Sequence, residues 1–68
     1  MQQTLGKRIR NLRTEAKMTQ GALGTKLNVL KQQVYSYEIS KNIPPIIKLQ
    51  KICKIFDVDI GWLITGKE

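Results

Sequence analysis

In the stretch "LGKRIRNLR" the apolar side chains Leu5, Ile9 and Leu12 fall four and then three residues apart, with Lys7, Arg8, Arg10 and Arg13 on the remaining positions. That spacing gathers apolar groups on one face of a helix of about 3.6 residues per turn and scatters them over both faces of a strand. It predicts a first helix from about Thr4 to Ala16. The same period returns at Ile46, Leu49, Ile52, Cys53 and Phe56, with Lys48, Lys51 and Lys54 on the polar side, and predicts a helix from Ile46 to Phe56. Between them, Thr19 can cap "QGALGTKL", whose inward face is Leu23 and Leu27, before Asn28 ends it in a conformation Asn tolerates well. A third helix is expected from about Lys31 to Ile39, followed by the loop "SKNIPP". Asp57 breaks the fourth helix, Asp59 can cap a short fifth one at "IGWLI", and Gly66 is placed as its stop. Alternating apolar patterns, hairpin turns and internal repeats are missing. The fold class expected is therefore all-α, a compact bundle of five short helices forming one domain over residues 1–68.

A chain of 68 residues buries only about 60% of the surface its unfolded form exposes. One core is all it can build. The single cysteine, Cys53, cannot form an intramolecular disulfide, and no leader opens the chain, so a cytoplasmic protein is expected. The 68 residues hold no separate oligomerisation or effector domain, which fits a small self-standing protein or an excised N-terminal domain equally. Apolar runs such as "IPPII" fall far short of the roughly 20 residues that span a bilayer. Twelve Lys and Arg against five Asp and Glu give a net charge of +7 and a pI near 9.9. The excess is lopsided: residues 1–31 carry seven basic side chains and only Glu15 on the acidic side. Such a surface suits a polyanionic partner, although basic residues also simply solvate helices.

A short helix, a tight turn and a second short helix make a helix-turn-helix candidate, and residues 20–38 supply it with Asn28 at the turn. Gly24 sits where two steeply crossing helices need a very small residue, and Val34 where the second helix must anchor inward. Taken in order, "RIRNLRTEAKMTQGALGTKL", "VYSYE" and "VDIGWLITG" resemble the DNA-binding domain of the phage repressor and Cro-type helix-turn-helix family over about residues 5–66. The most specific parts are Arg13, Gln20, Leu23 with Gly24, Val34, Glu38, and Trp62, Leu63 and Gly66.

The resemblance implies a partly buried ion pair between Arg13 and Glu38, a DNA phosphate held by Gln20 at the start of the second helix, and a third helix that reads DNA. A helix wheel agrees with that third role. At about 100° per residue Leu30, Val34, Tyr37 and Glu38 share one side, so Gln32, Tyr35 and Ser36 face away with Lys31 and Gln33 on the flanks. In a major groove Gln can pair with adenine, Lys can reach guanine, and Ser serves several bases. Base reading is therefore expected from Lys31, Gln32 and Ser36, then Gln33 and Tyr35. Phosphate contacts are expected from Gln20, Lys41, Asn42, Arg10 and Lys48. Arg8, Lys7, Lys17, Lys26, Lys51 and Lys54 read as solvated charges that add to the field. The chain departs from the family pattern at Leu30, where a Ser or Thr cap is usual, at Ile39, and at Ser40, where Gly is usual. Leu30 and Ile39 could touch thymine methyls or a neighbouring protomer.

Other chemistries find little support. The chain has no His, and Glu15, Glu38, Asp57, Asp59 and Glu68 are not spaced as a metal site or catalytic pair. Cys53 occupies an apolar helix position and reads as core. "GALGTK" lacks the spacing and the preceding strand of a phosphate-binding loop. Trp62 suits the core, and Ile64 the core or a dimer contact. No enzyme activity, cofactor, membrane or small-molecule substrate is expected. The partners expected are double-stranded DNA, on a near-palindromic operator, and a second copy of the chain as a homodimer. The rival is an interaction module of the same fold, such as an antitoxin-like partner of another protein.

Overall fold

The computed structural model describes residues 4–67, so Glu68 lies outside the described residues. Five helices follow one another: α1 Leu5–Glu15, α2 Gln20–Leu27, α3 Lys31–Glu38, α4 Ile46–Phe56 and α5 Ile60–Thr65. No strand occurs among the described residues. The fold is all-α, with α2 and α3 as its helix-turn-helix. Thr4 caps α1 rather than opening it, its hydroxyl accepting from the Lys7 N–H at 3.2 Å. Thr19 and Asp59 do the same for α2 and α5, accepting from Ala22 N–H at 3.0 Å and Trp62 N–H at 3.1 Å. Ile39, expected as the last residue of α3, is its C-cap.

Every helix is followed closely by a residue in the left-handed region, and these are Lys17, Asn28, Ser40, Asp57 and Gly66. This conformation turns the chain sharply and lets a following N–H satisfy a carbonyl of the last turn, as Met18 N–H does with Arg13 O at 3.0 Å. For a residue with a Cβ it costs about 1–2 kcal/mol, least for Asn and Asp. Lys17 is exposed, so Lys17→Gly should relieve this strain and lose little else. After the extra chain entropy of Gly, we expect a gain of about 1 kcal/mol, seen as a melting temperature higher by about 4–8 °C.

The core is built from Ile9, Leu23, Leu27, Val34, Tyr37, Leu49, Ile52, Cys53 and Leu63, contributed by all five helices. Trp62 is half-buried against it. α2 packs chiefly on α3, α1 on α3 and α5, and α4 on α5 and α2. Gly24 lies under the turn: a Cβ there would come within 2.7 Å of Val29 O. The residue is small because the backbone of the turn occupies the space of a side chain.

Arg8 overturns the expectation that it is a solvated charge. It is 6% exposed, and its guanidinium donates from Nε to Leu63 O at 2.7 Å and from Nη2 to Ile64 O at 2.8 Å. A cation at the carbonyl end of a helix meets both the free acceptors and the negative end of the dipole. Arg8 therefore closes the bundle by tying α1 to the end of α5. No helix among the described residues is long and apolar enough to cross a membrane.

Candidate nucleic-acid interface

α3 starts without a side-chain cap, since Leu30 stands at its N-cap in extended backbone (φ −75°, ψ 155°) and the Leu30 carbonyl accepts from Gln33 and Val34 N–H. From there the helical period sorts its side chains. Val34, Tyr37 and Glu38 are buried. Lys31, Gln32, Gln33 and Tyr35 are exposed, and Ser36 is half-buried with its hydroxyl donating to Gln32 O at 3.0 Å. That leaves the Ser36 oxygen as an acceptor and Gln32 with its full side-chain amide.

Leu30 departs from the wheel. It was expected on the inward side with Val34 but is 71% exposed. The reason is that an extended N-cap residue does not share the angular period of the helix it precedes. Ile39 at the other end of α3 is half exposed.

Behind the exposed face lies a charged network. Arg13 donates from Nε to Glu38 Oε2 at 2.5 Å and from Nη2 to Glu38 Oε1 at 3.1 Å, with side-chain exposures of 12% and 4%. Arg13 Nη1 donates to Met18 O at 2.8 Å, and Gln20 Nε2 donates to Glu38 Oε1 at 3.1 Å. The carboxylate is thus held by three donors from α1 and α2, which is what a buried charge requires. Among the described residues no buried side-chain polar atom lacks a partner. The network fixes the last turn of α3, and with it the orientation of the whole helix.

The residues expected to meet phosphates are distributed unevenly. Arg10, Arg13, Gln20, Tyr35, Glu38 and Ile39 line a cleft of about 180 Å³ where α1, the start of α2 and α3 meet. Gln20 spends one amide hydrogen on Glu38 and keeps the other. Lys41 and Asn42 are exposed on a loop that folds back on α3, their backbone N–H groups donating to Ser36 O at 3.0 and 3.3 Å. Lys48 has another partner: its Nζ donates to Leu27 O at 2.8 Å and so closes the end of α2. Neither the Lys48 contact nor the Gln20–Glu38 bond could be read from spacing, because the first involves a backbone carbonyl and the second joins residues 18 apart.

Cys53 is buried in the core on α4, and burial, with Asp59 nearby, pushes its thiol above the usual range. A neutral thiol in apolar surroundings is packing material. Among the described residues no group of three or more His, Cys, Asp or Glu is placed to hold a metal ion.

A family model described as helix-turn-helix matches residues 9–63. An uncharacterized HTH-type transcriptional regulator of Bacillus subtilis (strain 168), YobD, is 30% identical over 57 residues, covering 84% of this chain and 51% of the relative. The chain thus spans about half the length of that relative. Two solved structures are similar over nearly their whole length. The P22 c2 repressor in complex with synthetic operator 9T superposes with a TM-score of 0.91 at 29% identity, covering 97% of this chain and 100% of that one. SinR, described as the master regulator for biofilm formation and solved in complex with DNA, gives a TM-score of 0.78 at 30% identity, covering 88% of this chain and 97% of that one.

Proposed function

The chain belongs to the phage repressor and Cro-type helix-turn-helix family, and from that premise we propose that it is a DNA-binding transcriptional regulator which reads a near-palindromic operator as a dimer through α3. The observation that carries this reading is a short polar helix face held rigid from behind. Gln32, Tyr35 and Ser36 face outward from α3 with Lys31 on the flank, while Glu38, on the inward side, is locked to Arg13 and Gln20. An α-helix with its side chains is about 10–12 Å across, and a major groove is about 12 Å wide.

Lys31, Gln32 and Ser36 read base edges, with Gln33 and Tyr35 beside them. Arg10, Gln20, Lys41 and Asn42 set the register by holding phosphates, and Lys48, already occupied, contributes least. Occupying a promoter in this way represses it. A protomer measures 28 × 23 × 22 Å and offers one reading helix, while successive major-groove faces are about 34 Å apart. Two protomers are needed to use both. Ile43, Ile46 and Ile47, exposed by 77%, 56% and 68% beyond the end of α3, are the apolar surface that supports contact between copies. Such a regulator works in the cytoplasm of a bacterial or phage-infected cell.

A fluorescence-anisotropy titration against mixed-sequence DNA at several salt concentrations tests the electrostatic half of this reading. With Arg10 and Lys41 from each of two protomers on phosphates, log affinity should fall with log salt at a slope of about −3.6, at roughly 0.9 per phosphate. A flat, weak response would sink it in favour of an interaction module that binds another protein. Specificity is tested separately. Gln32→Ala and Ser36→Ala should each weaken binding to the preferred site by about 1–3 kcal/mol and leave affinity for mixed DNA unchanged. A loss of equal size on both kinds of DNA would remove these residues from base reading.

A further inference from the structure

We propose, resting on the reading of α3 as the DNA-reading helix, that Leu30 is a base-reading residue whose side chain contacts the 5-methyl group of a thymine in the major groove. Leu30 occupies the N-cap of α3 and makes no capping hydrogen bond. A Ser, Thr or Asp there would satisfy a free N–H of the first turn, so leucine serves the helix poorly. It serves the core no better, being 71% exposed. It stands at the edge of an open cleft of about 370 Å³ lined by Gly24, Thr25, Asn28 and Val29, so the domain does not cover it.

What the position does offer is reach. In helix-turn-helix docking the N-terminal residues of the second helix meet base edges, and Leu30 directly precedes Lys31 and Gln32. The thymine methyl is the apolar group that the four bases present in the major groove. A leucine placed beside it removes both from water, while the neighbouring polar side chains read hydrogen-bonding edges. The isoleucines that support contact between copies follow the opposite end of α3, so a second protomer is the weaker candidate to cover Leu30.

The test uses the preferred binding site selected from random DNA, with each thymine replaced in turn by deoxyuridine, which removes only the methyl group. For the unaltered protein, one thymine per half-site should lose about fourfold in affinity on replacement, the equivalent of about 0.8 kcal/mol per buried methyl-sized group. Leu30→Ala should bind the thymine site more weakly and show no further loss with deoxyuridine. Leu30→Ser, which restores a cap and raises the melting temperature, should show the same indifference, separating base contact from folding. Equal deoxyuridine sensitivity in all three proteins, or none in any, overturns the assignment of Leu30 and leaves α3 as the reading helix. Failure to select any site overturns both.

Discussion

Glu38→Ala is expected to leave much of the protein unfolded near ambient temperature. At about 0.05–0.15 kcal/mol per residue, a chain of 68 residues has roughly 3–10 kcal/mol of stability to lose. Removing one partner of a buried ion pair costs about 3–5 kcal/mol, because the other charge stays buried without compensation. The stranded group here is Arg13, whose side chain is 12% exposed and would retain only its bond to Met18 O. Gln20 loses its acceptor as well. Thermal melts followed by circular dichroism should show a fall of at least about 12 °C, or no cooperative transition. Glu38→Gln keeps the shape and one acceptor and should cost less. The double variant Arg13→Met/Glu38→Leu should recover most of the loss, since an apolar replacement of a buried pair is often neutral or stabilising. A shift of only a degree or two in Glu38→Ala would show that the pair does not hold α3 in place.

The second large effect is at Gly6, where Ala is expected to destabilise although it is the better helix former. A Cβ on Gly6 would lie 2.6 Å from Glu38 O and closer still to Tyr37 O, both in the last turn of α3. These are backbone atoms in a turn already fixed by the Arg13–Glu38 pair, so α1 must move away from α3. Overpacking of this kind costs about 1–3 kcal/mol, and contact with two carbonyls places it at the upper end. Gly21→Ala is the control. Its Cβ would meet only Thr19 Oγ1 at 3.8 Å, and a gain of up to about 1 kcal/mol follows from propensity alone. Chemical denaturation of the two variants should give opposite signs, and two gains would place α1 further from α3 than the structure has it.

Much of the fold is written locally. Five helices could be placed to within about a residue because their signals are short-range: apolar spacing within each, Thr19 and Asp59 as caps, Asn28, Asp57 and Gly66 as stops. What stayed hidden is what depends on distant backbone. Arg8 looked like one basic residue among several because its partners are carbonyls 55 and 56 residues away. Lys48 gave no sign of its bond to Leu27 O, 21 residues away, for the same reason. Gly6 carries no local sign of the carbonyls that press on it. Leu30 was misplaced because a wheel drawn through an extended cap residue has no physical basis there. The pairing of Arg13 with Glu38 entered through family resemblance, since nothing in composition links residues 25 apart. The outward side chains of α3 were legible from period alone, but what they touch was not.

Selection of binding sites from random double-stranded DNA tests the DNA-reading role of α3 most directly. A helix that reads bases in a dimer should yield a near-palindromic consensus whose half-sites are centred about 10–10.5 base pairs apart. Gln32→Ala, folded as well as the parent, should change that consensus at a defined position in each half-site. Enrichment of no sequence, or of an identical sequence by the parent, Gln32→Ala and Ser36→Ala, would contradict it.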